Sequence, residues 1–451
     1  EKNISWLKYP RRVISENGFM VSNIVNVYKF MVRHKDIFFY ARDHFISTII
    51  TAMGKLTILQ NTSTDNQTLA LDIAELILYW EKKTKELKTK ESTKLLMKEK
   101  KDIKSGNNDN DYATLLSYSI PFGQKEAFIT FLIRYVCINT QRSSNGDLGK
   151  RALNVLYELL SPGYWSDVTV KLSFFDKFLI EPDFNNANNN NILLYCINSL
   201  EVLSVSLNHK SNEWIIDNLP ALQNLLDKSI RSDNHDVQEA LQKVLRSILN
   251  AIKEETDEDQ EYEPEEIKNF LNLLTSVISD YLGNTSSLAA GVTLCWTVTN
   301  YKPERLNNLF PSIMKTFGKL CKDHVTIINQ KSCDQQSKLG EEAKMTTKLL
   351  DRLLCFAAMR ISHLGDQRRI YLSLLAQLIE KTSDPCILSR NISIVHGFIF
   401  KKDNLFPTTK EKAAILGKMM GFETRKDILK SLAKRFYKII IKMFEDDSFL
   451  Y

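Results

Sequence analysis

Apolar residues recur along nearly the whole chain at the spacing of one face of an α-helix, and this periodicity constrains the fold more than any motif does. In NHDVQEALQKVLRSILNAI the apolar positions are Val237, Ala240, Leu241, Val244, Leu245, Ile248, Leu249 and Ile252. That is the i, i+3, i+4, i+7 pattern of an amphipathic helix. Asn234 or Asp233 stands where an N-cap belongs. EPEEIKNFLNLLTSVISDYLG carries a stripe of Phe270, Leu273, Leu274, Val277, Ile278 and Tyr281, with Pro264 and glutamates at its first turn and Gly283 as a stop. DILKSLAKRFYKIIIKMF repeats the pattern at Leu429, Leu432, Phe436, Ile439, Ile440 and Met443. NILLYCINSLEVLSVSL, residues 191–207, is apolar on nearly all sides, as a helix covered by neighbours must be. No run of strand-like alternation stands beside these. Only 15 Gly and 10 Pro occur in 451 residues, against the many tight turns that a sheet protein of this size requires.

The segments number about sixteen or seventeen, at roughly 20–25 residues per helix with its loop, so that a helix pair takes about 45 residues, the size of a HEAT-like unit. The expected fold is all-α: an α-solenoid of irregular HEAT-like helix pairs, in which each pair buries its apolar face mainly against its neighbours. Residues 1–451 read as one continuous array. Four polar stretches interrupt it, at 84–120, 185–191, 254–264 and 329–342, and each reads as a flexible insertion because the helical period resumes beyond it. The first belongs to a lysine-rich run with no Gly or Pro before Gly106, so part of it is expected to be helical.

Charge and cysteine usage exclude little but point one way. The formal charge of +6 is modest for this length and does not announce nucleic acid. The cysteines, at 137, 196, 295, 321, 333, 355 and 386, are odd in number and scattered, which reads as reduced thiols in an intracellular protein. No apolar run approaches the roughly 18 residues of a membrane span, and no signal peptide opens the chain. The first residue is Glu1, so a fragment of a longer protein is expected.

Two clusters contain the ingredients of chemistry. In EKTSDPCILSRNISIVHGFIF, residues 380–400, Asp384, Cys386 and His396 are the residue types of a thiol catalyst. Asp384 or Ser383 can instead cap a helix that Pro385 opens, with Ile387, Leu388, Ile392, Val395, Phe398 and Ile399 as its stripe. Cys386 and His396 then lie ~15 Å apart along the axis, whereas a nucleophile and its base must sit within about 3 Å. In CKDHVTIINQKSC, Cys321, His324 and Cys333, with Asp323 or Asp334, approach a zinc set. Only three soft ligands are present, and the C-x-x-C pairs of strong zinc motifs are absent. No phosphate loop, dinucleotide fingerprint, kinase loop, H-E-x-x-H or G-x-S-x-G occurs. No catalytic residue, cofactor or metal ligand is therefore assigned.

The remaining candidates are charged surfaces. Lys430, Lys434, Lys438 and Lys442 recur every four residues opposite an apolar stripe, with Arg435 beside them. Lys82 to Lys104 holds ten lysines against Glu86, Glu91, Glu99 and Asp102. Either could meet nucleic acid or an acidic peptide, but solvated helix faces look the same, and no aromatics are interleaved as a stacking platform requires. Residues 254–266 hold nine acids and no base, a docking strip for a basic segment or a solvated linker.

Several blocks, in order and at matching spacing, carry a resemblance. They are TLALDIAELILYWEKK (68–83), RALNVLYELLSPGYWSDVTVKLSFFDKFL (151–179), NSLEVLSV (198–205), VQEALQKVLRSIL (237–249), LIEKTSDPCILSRNISIV (378–395) and TTKEKAAILGKMM (408–420). Together they resemble the TRRAP-type transcription coactivators in their fungal form, over nearly the whole chain. The resemblance implies a middle HEAT-repeat slice of a giant α-solenoid, related to the phosphatidylinositol-3-kinase-like kinases but ending in a pseudokinase that lies outside this chain. It further implies a nuclear scaffold shared by SAGA-type and nucleosomal histone acetyltransferase complexes. The implied partners are other subunits of those complexes and transcription activators. No small-molecule substrate, membrane or direct nucleic-acid contact is expected, and no motif marks the contact residues. Two alternatives stay open on the residues alone: a helical-repeat transport receptor, and the regulatory helical arm of an active kinase of the same superfamily.

Overall fold

The computed structural model describes residues 8–16, 21–57, 63–98, 118–139, 148–182, 190–255, 263–330, 338–400 and 409–421, with isolated positions between 432 and 441. Among them the regular structure is α-helix with short 3-10 turns, and there is no β-strand. The chain divides into two compact units, Glu1–Ser211 and Asn212–Tyr451.

The first unit contains α1 (Lys8–Glu16), α2 (Val21–Arg33), α3 (Lys35–Phe39), α4 (Ile46–Thr57), α5 (Thr64–Lys98), α6 (Phe122–Ile138), α7 (Leu148–Leu160), α8 (Asp176–Leu179) and α9 (Asn190–Leu207). Helices α4, α6 and α9 pack side by side as one row, and α2, α5 and α7 as another, with α4 against α5 and α6 against α7 joining them. The 35 residues of α5 give a rod ~52 Å long, against ~18–20 Å for its neighbours α4 and α7. Residues 84–98, expected as the start of an insertion, thus continue α5. Their Lys/Glu/Leu composition favours helix, and no Gly or Pro stops it. Of the rest of that stretch, 99–117 lie outside the described residues and 118–120 are not helical.

The second unit is more regular. It contains α10 (Asn212–Asp217), α11 (Leu219–Ile230), α12 (His235–Glu255), α13 (Glu265–Gly283), α14 (Leu288–Thr299), α15 (Phe310–Gln330), α16 (Lys338–Met359), α17 (Gln367–Lys381), α18 (Pro385–Phe400) and α19 (Thr409–Met420). Each helix packs on the second helix along. Thus α10, α12, α14, α16 and α18 form one row, and α11, α13, α15, α17 and α19 the other. Successive helices α11 and α12, α13 and α14, α15 and α16, and α17 and α18 pair across the rows. This double row is the α-solenoid of HEAT-like pairs. The insertions shrink within it. Residues 254–255, 329–330 and 338–342 belong to helices, as do 190–191 in the first unit, while 183–189, 256–262 and 331–337 lie outside the described residues.

The stripes of α12 and α13 are core; of the stripe at 429–443 only Leu432 is described, and it is buried, while Leu429, Phe436, Ile439, Ile440 and Met443 lie outside the described residues. Val237, Leu241, Val244, Leu245, Ile248, Leu249 and Ile252 of α12 are wholly buried, each side chain contributing about 1.5–3 kcal/mol by leaving water. In α13 the buried set is Ile267, Phe270, Leu271, Leu274, Val277, Ile278 and Leu282. Leu273 and Tyr281, expected in the stripe, are only partly buried, so the face turns slightly from the expected one. Asn234 caps α12, its Oδ1 accepting from the amides of Asp236 (2.9 Å) and Val237 (3.2 Å). Helix α14 is buried on nearly every side. Its Thr293, Thr297 and Thr299 hydroxyls donate to carbonyls one turn back, so polar groups are satisfied inside the stack. Gly291 permits the tight α13–α14 crossing, since a Cβ there would meet Tyr281 Cβ at 2.8 Å.

Candidate interaction surfaces

The thiol cluster does not assemble. Cys386 and His396 lie on the single helix α18, and ten residues of helix keep them ~15 Å apart. Asp384 is the N-cap. Its Oδ1 accepts from the amides of Cys386 (2.8 Å) and Ile387 (3.4 Å), and its Oδ2 from the Thr347 hydroxyl (3.1 Å).

The zinc candidates are drawn into the same neighbourhood for a structural purpose. His324 is 1% exposed, and its Nε2 lies 2.9 Å from Thr382 Oγ1. Its Nδ1 lies 3.5 Å from Thr347 Oγ1. His324 thus ties α15 to α16 and to the turn before α18. Cys321 is buried one turn away, and burial pushes its thiol up to about 12. Burial likewise raises Cys137 and Cys295 to about 12 and Cys355 to about 11, which suppresses the reactive thiolate. Asp323 is exposed, and Cys333 and Asp334 lie outside the described residues. Among the described residues no three His, Cys, Asp or Glu side chains are grouped to hold a metal ion.

A polar seam runs along the even-numbered row of the second unit. Glu239 on α12 accepts from Arg352 (2.7 Å) and Lys348 (3.0 Å) on α16. Arg352 also donates to Thr293 Oγ1 on α14 at 2.7 Å, and His235 Nε2 lies 3.5 Å from Glu239. Burial opposes the Glu239 charge, but Lys348 and Arg352 outweigh it and hold its pKa below the ordinary value. Burial lowers the pKa of His235. The seam continues where Arg390 on α18 grips Asp351 on α16 through two bonds, 2.6 and 3.2 Å. Arg435 donates to Ser389 and Ser393 at 3.0 and 3.2 Å. A depression of about 760 Å³ opens there, lined by Lys344, Lys348, Asp351, Asp384 and Arg390. Of these, Arg390 and Asp351 pair with each other, Lys348 pairs with Glu239, and Asp384 accepts from Thr347 and its own helix amides.

Gln238 went unread in the sequence because it interrupts an apolar stripe. It is 1% exposed, and its Nε2 donates to the carbonyls of Ser229, Ile230 and Ser232 at 3.0, 3.1 and 2.8 Å. It closes the C-terminus of α11, whose last carbonyls have no helical partner. A polar residue inside an otherwise apolar face was the available signal.

The basic strip on α5 is partly spent on the fold. Lys82 pairs with Glu158, and Lys83 with Asp36, which also accepts from Tyr79 at 2.6 Å. Lys85 lies 4.4 Å over the Tyr164 ring. Trp165 Nε1 donates to Glu81 at 2.8 Å. Arg151 on α7 bridges Asp72 (2.7 Å) and Glu75 (2.9 Å). Gly163, at φ +92°, allows the turn that brings Tyr164 and Trp165 onto α5. Lys88 and Lys90 are exposed further along. At the other basic face Leu432 is buried and Lys434, Arg435 and Lys438 are exposed, as the stripe requires, while Lys430 and Lys442 lie outside the described residues. From the acidic run, Glu263 pairs with Arg305, and 256–262 lie outside.

A groove of about 770 Å³ lies in the first unit between α4, α6 and residues 168–174. Its floor is apolar, with Ile50, Ile129, Ile133 and Val168 buried. Glu126, Thr130 and Arg134 of α6 stand along one wall, and the stretch from Val168 to Lys171 forms the other.

A family model described as the Tra1 HEAT repeat ring region matches residues 1–451. The SAGA complex/NuA4 acetyltransferase complex subunit TRA1 of Saccharomyces cerevisiae is 43% identical over 99% of this chain and 12% of its own length. The corresponding Tra1 of Schizosaccharomyces pombe is 30% identical over 94% of this chain and 11% of its own. The human transformation/transcription domain-associated protein is 22% identical over 92% of this chain and 12% of its own. This chain therefore spans about one eighth of the length of these relatives. Among solved structures, a chain of the Kap95:Nup1 complex aligns with a TM-score of 0.42 at 10% identity, covering 96% of this chain and 56% of that one. With a family match along its full length and 43% identity to yeast TRA1, the chain belongs to the Tra1 HEAT repeat ring region family.

Proposed function

We propose that this chain is a non-catalytic scaffold segment of a giant nuclear transcription coactivator subunit shared by SAGA-type and NuA4-type histone acetyltransferase complexes. The observation that carries this reading is the family match along all 451 residues together with the yeast relatives named as subunits of both complexes. The packing supports it physically. In the second unit a double row of helices fixes neighbouring surfaces in register, because helices pack on the second helix along and pair across the rows. Reactive groups in the described residues serve the stack, with His324 and Asp384 bound to threonines and backbone. The segment works by surface, and its partners on this reading are other subunits of the complexes and transcription activators. It uses no small-molecule substrate, membrane or direct nucleic-acid contact. The test is to tag the full-length parent protein in its own cells, purify it gently and identify what accompanies it by mass spectrometry. Acetyltransferase subunits in near-stoichiometric amount are expected. Their absence, with a small GTPase or an active kinase assembly in their place, overturns the reading.

A further inference from the structure

We propose that the groove in the first unit binds an extended segment of a partner protein, paired through its backbone with Thr169–Lys171 and carrying an acidic side chain toward Arg134 and Lys171. The wall itself is the first reason. From Val168 to Lys171 the chain is not helical. Val168 is buried, Val170 is half-buried, and Thr169 and Lys171 are exposed, the alternation of a strand. Lys171 has extended backbone angles, φ −75° and ψ 130°. The amides of Thr169, Val170 and Lys171 and the carbonyls of Thr169 and Val170 make no hydrogen bond to the described residues. In an all-helical unit this is a strand edge without a partner strand. An exposed edge of this kind is the template on which extended peptides add.

Length and charge select the occupant. Glu126 and Arg134 stand eight residues apart on the α6 wall, ~12 Å along the axis, and Thr130 lies midway. Four residues of extended chain span about 13 Å, so one short strand reaches from one charge to the other. Arg134, Lys171 and Glu126 form no ion pair with the described residues, and the rim carries two cations against one anion. An acidic residue at the Arg134 end complements it. The apolar floor receives alternate side chains. A helical ligand would leave the open backbone edge unanswered. Nucleic acid would meet Glu126 and find only Phe131 and Phe174 as aromatic lining, both already against other protein rings.

This inference rests on the reading of the chain as a scaffold that works by surface. The 451-residue chain is panned with a phage-displayed random dodecapeptide library. Enriched peptides are synthesised and titrated by fluorescence anisotropy against the parent chain, Thr130→Arg, and the double variant Arg134→Glu/Lys171→Glu. Thr130 is exposed, so an arginine there fills the groove without touching the core, and an unchanged thermal melt checks the fold. The expected peptides alternate apolar and polar residues with an acid at one end, bind Thr130→Arg at least about tenfold more weakly, and lose affinity in the charge reversal. Bound peptide is expected to slow amide hydrogen exchange at Thr169–Lys171. No enrichment, peptides indifferent to Thr130→Arg, or binding without protection at those amides overturns the proposal. If acetyltransferase subunits copurify with the unaltered full-length parent while no peptide binds the unaltered groove, the groove proposal falls alone. If the peptides bind but the subunits do not copurify with the unaltered parent, the scaffold reading falls instead.

Discussion

The two units solve the same packing problem differently. In the second unit every helix meets the second helix along, and polar side chains are recruited into the contact: Glu239 with Arg352 and Lys348, His324 with Thr382, Gln238 with three carbonyls. In the first unit a 35-residue helix and an extended stretch break the rhythm, and Arg151, which bridges α7 to α5, lies nearer water than Arg352 in the seam, 31% exposed against 9%. Regular stacking consumes its own surfaces. Where the rhythm breaks, backbone and apolar floor are left to meet something else, as in the groove beside Thr169–Lys171.

This contrast can be broken at several points. The largest effect is expected in the buried stripe. Leu241→Ala removes a wholly buried side chain and should cost roughly 2–5 kcal/mol in urea unfolding, and a cost below 1 kcal/mol would argue that α12 is not central to its unit. Arg352→Met comes next. It leaves Glu239 with Lys348 and His235 and should cost about 2–3 kcal/mol, less than a fully buried broken pair because Glu239 keeps these contacts and some water. Arg151→Ala, its counterpart in the first unit, should cost about 1 kcal/mol. If the two arginines prove equal in the same unfolding assay, the distinction between a buried seam and a surface pairing fails.

Acid sensitivity sharpens the comparison further. His235 and His209 both have depressed pKa values from burial, a backbone bond to Tyr157 only partly opposing it at His209. A depressed folded value means that stability is full above the ordinary histidine value of 6.5 and falls as pH drops below it. Both units should therefore weaken between pH 7 and pH 5. His235→Gln should flatten that slope in the second unit only, as read by hydrogen exchange in each unit. Glu239, also depressed, adds a loss below its ordinary value of 4.5, which Glu239→Gln should remove. Smallest of all, Lys88→Ala on the exposed side of α5 should shift stability by no more than about 0.5 kcal/mol. A larger loss would mean that this part of α5 is held as firmly as the seam.

Much of the architecture was legible before any coordinates. The α12 stripe, its Asn234 cap and the Asp384 cap of α18 are local patterns, set by side-chain type at fixed spacing. The lysine-rich stretch, expected to be helical in part, is helical as far as Lys98, because Lys, Glu and Leu favour helix and no Gly or Pro stops it. Cys321 and His324 do share a face, as their spacing requires, but that face turns inward, and His324 meets Thr382 rather than a metal ligand. The groove was not legible at all. VTVK resembles any short linker until α4 and α6 are placed beside it.

The sequence by itself determined that this protein is a succession of amphipathic helices, which side of each is apolar, and where several of them begin. It could do so because those properties depend on residues within a turn or two of one another. Only the tertiary structure decided which apolar face meets which, that Arg352 would find Glu239, that Gln238 would close α11, and that Thr169–Lys171 would be left beside an open groove. An apolar stripe drives a helix to be covered without naming its cover, since hydrophobic burial is non-directional. The partners are chosen by shape, hydrogen bonding and charge across distances that no local pattern records.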